Sequence, residues 1–371
     1  MLPIRIDCHY AGGNIRIVSA EEGLIRLEQD IRDTTEWWFY WNFRATVVSR
    51  SEQETVFEFV NGEVVGPWGP AVSDDGISWS WLGSDSLLSR TTFRFRFTET
   101  MKQVYFAFSL PYQEHHFERF YSGIAADPRV RRDVLTQSEQ LRSVPLLRVG
   151  SPSASQHILV TCRHHACEST PSYLMEGLLN YYLAQPESQV LNEYLFHYIP
   201  FVDIDGVENG DQGKSRSPHD HNRDYTEAPV YRSTTAIIEY ARQLRPTAGI
   251  DLHGPYKWGG RNDVPFLVKQ DPPVQGEIER LSLHLERITA ARSTPDAIRH
   301  RSADDIDMGV EWNQPHGKNA SAAFRRAGAR LAFTLEFPYF GKGEIAITIE
   351  NSRQFGEDTA KALEAYLLES P

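Results

Sequence analysis

The sequence predicts an α/β fold: a mixed sheet flanked by helices, preceded by a smaller antiparallel β-sandwich. Two observations carry this expectation. Short apolar and aromatic runs punctuated by turn residues fill the first third of the chain, with no helical stretch among them. Beyond that, strand-like apolar runs alternate with long segments of helical periodicity. A chain of 371 residues, 40% hydrophobic and 24% charged, has the volume for two such parts. The expected division is residues 1–112 and 113–371.

In the first part, the runs at 36–45 (EWWFYWNFRA), 55–60 (TVFEFV), 77–82 (ISWSWL), 92–97 (TFRFRF) and 104–110 (VYFAFSL) read as strands. NGEVVGPWGP and SDDG lie between them and supply the residues that tight turns use. The aromatic crowd Trp37, Trp38, Phe39, Tyr40 and Trp41 fits the two faces of a sheet better than a sugar-binding platform.

In the second part, strands are expected at 157–161, 194–202, 248–252 and 331–337, and helices at 169–185, 226–244, 274–292 and 357–369. Within the third helix Ile278, Leu281, Leu285 and Ile288 recur at spacings of three and four, which makes one apolar face. The polar, turn-rich segment 206–224 is expected to be a loop, and charged loops on a rigid α/β frame commonly carry function.

Net charge is −12, from 50 acidic and 38 basic residues, which argues against general affinity for nucleic acid or anionic membranes. No window approaches the roughly 20 apolar residues of a membrane span. The start, MLPIRIDCHY, lacks a basic stretch followed by an apolar core. Three cysteines form neither an even framework nor a CxxC pair, so a reducing, cytoplasmic setting is expected.

The chemistry gathers at strand ends. ILVTCRHHACE runs a strand into a loop carrying His165 and Glu168, and open α/β sheets place their sites just past the carboxyl ends of strands. AGIDLHG ends the same way with His253. Two histidines and one carboxylate are the usual protein ligands of a catalytic zinc and leave a position for water. Asp251 is placed to orient an imidazole from behind. LAFTLEFPYF sets Glu336 in an apolar run, where an ionised carboxylate is costly without a partner or a task. The fourth element is the loop NGDQGKSRSPHDHNRDY. Its adjacent Asn222 and Arg223 suit a carboxylate, and Lys214 and Arg216 stand near enough to face an oxyanion. His219 and His221 offer an alternative seat for the metal. DIDGVENGD is not a calcium loop, because its glycine falls at the fourth position rather than the sixth.

The ordered set RHHACE, IPFVDIDGVENGDQGKSR, NRDY, DLHG and TLEFPYF resembles the zinc carboxypeptidase family, in particular its cytosolic branch, in which a β-sandwich precedes the catalytic part. PYQEHHFERFY resembles the junction between the two. The resemblance implies one Zn2+ per chain on His165, Glu168 and His253, a general base at Glu336, and peptide or protein C-termini held by Asn222 and Arg223. It also implies an oxyanion arginine before NRDY: Arg216 is the choice, with Lys214 as the alternative because the spacing departs from the usual pattern. Trp312 and Tyr339 are candidates for the family's tyrosine over the substrate terminus. Lys318, Arg325, Arg326 and Arg330 precede the Glu336 strand where the family builds its side-chain pocket, which raises an expectation of acidic C-terminal preference. The competing readings are an aspartoacylase-like zinc deacylase, which carries its β-part after the catalytic part, and a peptide-binding module without catalysis.

Overall fold

The computed structural model describes residues 4–34, 39–48, 52–270 and 274–369. Trp37 and Trp38 lie outside the described residues.

The amino-terminal region folds as β1 (Ile4–Asp7), β2 (Arg16–Glu21), β3 (Leu24–Glu28), β4 (Asn42–Val47), β5 (Gln53–Phe59), β6 (Ala71–Ser73), β7 (Ser80–Trp81), β8 (Thr92–Phe97) and β9 (Gln103–Ala107). They form two sheets, ordered β1-β4-β9-β6-β7 and β2-β3-β5-β8. Every pairing is antiparallel except β3 with β5. Alternation in the sequence becomes alternation of burial: Thr55, Phe57 and Phe59 of β5 point inward. There Phe57 meets Phe93 of β8 at 4.9 Å between ring centres and Phe43 of the facing sheet at 5.4 Å. Trp41 is wholly buried against Phe59, its indole donating to Val64 O at 2.8 Å. The large aromatics of this region therefore fill a core. The expected run at 77–82 shrinks to Ser80–Trp81 because the Asp75 carboxylate accepts the amides of Ile77 and Ser78 and curls the preceding chain.

The second part follows as α1 (Glu114–Ile124), β10 (Val130–Gln137), β11 (Ser143–Val149), β12 (Gln156–Cys162), α2 (Thr170–Leu183), α3 (Gln189–Glu193), β13 (Tyr194–Ile199), α4 (Ile204–Asn209), α5 (Arg232–Leu244), β14 (Ala248–His253), β15 (Phe266–Val268), α6 (Val274–Ala290), α7 (Ala320–Arg326), β16 (Leu331–Glu336) and α8 (Ile349–Glu369). One seven-stranded sheet, ordered β10-β11-β13-β12-β14-β16-β15, runs through it. Its centre, β13-β12-β14-β16, is parallel, and these strands are buried throughout or nearly so, as strands covered on both faces must be. Helices α2, α6 and α8 pack together as one group and α5 and α7 as another.

Two differences from the expected elements have local causes. Segment 206–224 is not all loop: α4 reaches into it, its first turn capped by Asp203, whose carboxylate accepts Gly206 N at 2.9 Å. Helix α5 starts six residues later than expected because the Asp224 carboxylate accepts Val230 N and Tyr231 N and holds that stretch as a turn.

Topology then fixes the place of the site. The chain leaves β12 for β13 on one side and crosses back to β14 on the other. The crevice beyond the carboxyl ends of β12 and β14 is the switch point at which open α/β sheets bind ligands.

Candidate metal centre and active site

At the end of β12, Arg163 takes a left-handed conformation (φ 63°), and its buried guanidinium donates to Tyr112 O and Ala166 O. The turn sends the two following histidines in different directions. His165 faces a cavity of about 420 Å3, with Nδ1 2.7 Å from Glu168 Oε1 and Nε2 3.4 Å from Asp220 Oδ1. His164 goes behind, with Nδ1 2.9 Å from Asp251 Oδ1 and Nε2 2.6 Å from the Tyr225 hydroxyl. His253 and Glu336 close β14 and β16 as register partners, so the parallel pairing alone brings them side by side. His253 Nδ1 lies 2.8 Å from Glu168 Oε2, and its Nε2 lies 2.8 Å from Asp251 Oδ2.

Two groups of side chains among the described residues could hold a metal ion: His165, Glu168 and His253, and His164, Asp251 and His253. The first fits a zinc. It lines the cavity, and both imidazoles turn Nδ1 to one carboxylate. Glu168 Oε2 is buried without an aligned hydrogen bond although His253 Nδ1 is close, as expected of atoms aimed at a common centre. Two imidazoles and a carboxylate leave the fourth tetrahedral position open. In the second group only His253 lines the cavity, and Asp251 is already engaged, since its Oδ1 also accepts the Thr161 hydroxyl at 2.8 Å. Asp251 instead holds the His253 ring by its Nε2, the arrangement a carboxylate takes behind a metal-bound imidazole. Among the described residues, His219 and His221 belong to neither group. His219 pairs with Asp224 at 2.7 Å and His221 stacks on Tyr231 at 3.8 Å.

Charge in this pocket is tightly balanced. Burial pushes the Glu168 carboxyl up, but His165, Lys214 and His253 override it and hold it well below the usual range. Burial would lower the His253 imidazole, yet Asp251 and Glu168 raise it well above the ordinary value. Glu336 goes the other way: burial raises it to about 7, Glu168 adds to this, and His253 and Lys214 oppose it.

The 214–223 loop divides. Lys214, Asn222 and Arg223 line the cavity together with His165, Glu168, His253 and Glu336. Lys214 Nζ lies 2.6 Å from Glu168 Oε1 and donates to Gly254 O at 3.0 Å. Asn222 Oδ1 accepts Ala320 N at 3.1 Å and its amide nitrogen stands 3.2 Å from His253 Nε2. Arg216 is not with them. Its guanidinium is held by Asp203, Asp211 and Asp33 at 2.8, 3.0 and 3.4 Å, in a separate cleft that His221 and Tyr231 also line. Tyr339 is fully buried against Cys167 and does not reach the cavity, whereas Trp312 lines its mouth, half exposed. None of Lys318, Arg325, Arg326 and Arg330 lines the cavity. Arg326 is spent on Gly317 O and Tyr225 O, and Arg330 sits over the Tyr366 ring in a different cleft.

Sequence reasoning missed Asp220, His164 and Tyr256. Asp220 stood in the loop already quoted, two residues before Asn222, and a carboxylate close to a ligand histidine was the available signal. His164 was masked by its twin, and Tyr256, at the cavity mouth, carries no sequence signal.

Residues 119–362 match the family model described as zinc carboxypeptidase. The chain belongs to the zinc carboxypeptidase family. This metallocarboxypeptidase is 24% identical to an uncharacterized protein of Zymomonas mobilis, over 96% of this chain and 95% of that one. It is 26% identical to cytosolic carboxypeptidase 6 of Caenorhabditis elegans over 67% of this chain, and spans 61% of that protein's length. In fold it superimposes on a metallo-carboxypeptidase from Burkholderia cenocepacia with a TM-score of 0.80, at 17% identity, covering 99% of this chain and 100% of that one. The β-region is thus part of the shared fold. Among the described residues no helix is long and apolar enough to cross a membrane.

Proposed function

We propose that this carboxypeptidase releases the last residue of peptides or proteins, using one zinc per chain on His165, Glu168 and His253. The observation that carries the reading is a single cavity in which this triad and Glu336 share walls with Asn222 and Arg223. A guanidinium and an amide beside the metal group suit the free carboxylate of a chain end and exclude a continuing chain. That makes the reaction an exopeptidase one.

A zinc held there would supply a Lewis acid and a more acidic water. Glu336, at the cavity wall and raised by burial, accepts the proton of the attacking water and delivers it to the departing amine. Lys214 takes the oxyanion role in place of Arg216: its ammonium lies in the cavity, while Arg216 is committed to three carboxylates outside it. Such a donor contributes roughly 3 kcal/mol to the transition state in comparable sites. Acidic terminal preference is not part of the reading. Lys214 and Arg223 share the cavity wall with Glu168, Asp220, Glu311 and Glu336. The location named for the nematode relative, the cytosol, is proposed here too, consistent with three free cysteines.

The test is Glu336→Gln. The variant is expected to keep its zinc, measured by elemental analysis, and to lose nearly all release of C-terminal residues from a peptide panel. Undiminished turnover removes Glu336 from the role.

A further inference from the structure

We infer that Asp33, supplied by the amino-terminal β-region, is the positioning residue for Lys214. The inference rests on the reading of Lys214 as the oxyanion cation.

A lysine ammonium rides on a flexible four-carbon stem, so its place is set by where its backbone is held. The backbone before Lys214 is held from across the molecule. The Asp33 side chain, 8% exposed, accepts Gln212 N on Oδ1 at 3.0 Å and Gly213 N on Oδ2 at 2.8 Å. One carboxylate thus seats two consecutive amides. The same Oδ2 stands 3.4 Å from the Arg216 guanidinium, and Thr34 and Arg216 form a two-residue antiparallel bridge. Lys214 lies between the two anchored points. Gln212 carries the clamp in both directions. Its side-chain Oε1 accepts the amides of Phe39 and Tyr40 in the β-region. Its carbonyl accepts Cys167 N, next to the ligand Glu168, at 3.0 Å. Two residues further back, Gly210 O accepts the Asn14 side chain at 2.7 Å.

The segment 210–216 is therefore wedged between the β-region and the metal loop. Gly213, in the left-handed region at φ 80°, is so close that a Cβ there would lie 2.3 Å from Ala166 N. Such a clamp matters because oxyanion stabilisation depends on a donor already in place, and a misplacement near 1 Å costs about a hundredfold in rate. Asp33 touches neither substrate nor metal group. It acts through Lys214.

Asp33→Asn tests this in the full-length protein, by hydrogen exchange and by a double-mutant cycle with Lys214→Ala. The amides of Gln212 and Gly213 are expected to exchange faster while the β16 core stays protected and zinc content is unchanged. Turnover is expected to fall about ten- to a hundredfold in kcat with KM little altered. In the Lys214→Ala background, Asp33→Asn is expected to cost almost nothing more. Unchanged exchange at Gln212 and Gly213, or losses that add in the double variant, overturns the inference. Should the Asn variant not fold, Asp33→Ser, which keeps an acceptor for the amides and no charge for Arg216, is expected to give the same pattern, with additive losses again overturning it. A wild-type protein without C-terminal release removes the reading of the site, and the exchange measurement still decides the clamp.

Discussion

Glu336 is the residue whose environment says most about its work. It ends a buried strand, and burial lifts it to about 7. A base must be ionised to act, so activity is expected to rise as pH climbs through its pKa and to be lost as pH falls below. A bound dication would draw the carboxyl down, so the acid limb of kcat/KM should lie at roughly pH 5–7. A pH–rate profile checks this, and Glu336→Gln should abolish the limb along with the activity. A limb well above pH 7 would contradict the assignment. Behind the proposed ligands, Asp251 lies 2.8 Å from His253 Nε2 and Asp220 lies 3.4 Å from His165 Nε2. Losing a carboxylate in that position typically weakens metal binding about ten- to a hundredfold.

At the scale of elements, the part of the candidate site read from the sequence lies at or just past strand ends, and the rest on the longer 214–223 loop. ILVTC, AGIDLH and LAFTLE are nearly continuous apolar runs that each run into a polar group. Parallel register does the rest, setting His253 beside Glu336. This is why residues 165, 168, 253 and 336 could be grouped from the sequence as one candidate site, and the structure brings them to one cavity. The 214–223 loop was not legible in the same way. Lys214 and Arg216 are two cations two positions apart, and their different fates depend on Asp33, far upstream, and on Asp203. Strands β2 and β10 were missed for another reason: as edge strands, RIVSAE and VRRDVLTQ carry polar and charged side chains where an apolar pattern would have announced them. Of the basic residues before β16, Arg326 faces backbone carbonyls and Arg330 another helix, which charge counting cannot reveal. A prediction follows from the loop's close docking. Gly213→Ala forces a side chain into the left-handed region, at about 1–2 kcal/mol, and against Ala166 N at 2.3 Å. Lower thermal stability and weaker zinc retention are expected, read by calorimetry and metal titration. A variant matching wild type in both would show that the loop does not dock as described.

On the whole-molecule scale, the two parts of the chain share their cores. Cys167, Tyr339 and Phe340 belong to the aromatic cluster of the β-region, and Ala71, Ala107 and Leu110 to that of the central sheet. Indoles of Trp68 and Trp81 donate to Phe340 O and Ile347 O, just past the Glu336 strand. The β-region thus braces the site from two sides, the metal loop through 210–216 and the chain after β16 through these tryptophans. All of this positioning serves the proposed single-zinc site on His165, Glu168 and His253. The most direct measurement is anomalous scattering at the zinc edge from crystals of the purified protein. The account predicts one strong peak per chain, within about 2.0–2.3 Å of Nδ1 of His165, Nδ1 of His253 and the Glu168 carboxylate. A peak seated instead on His164 and Asp251, or a protein that retains no zinc there, would contradict it.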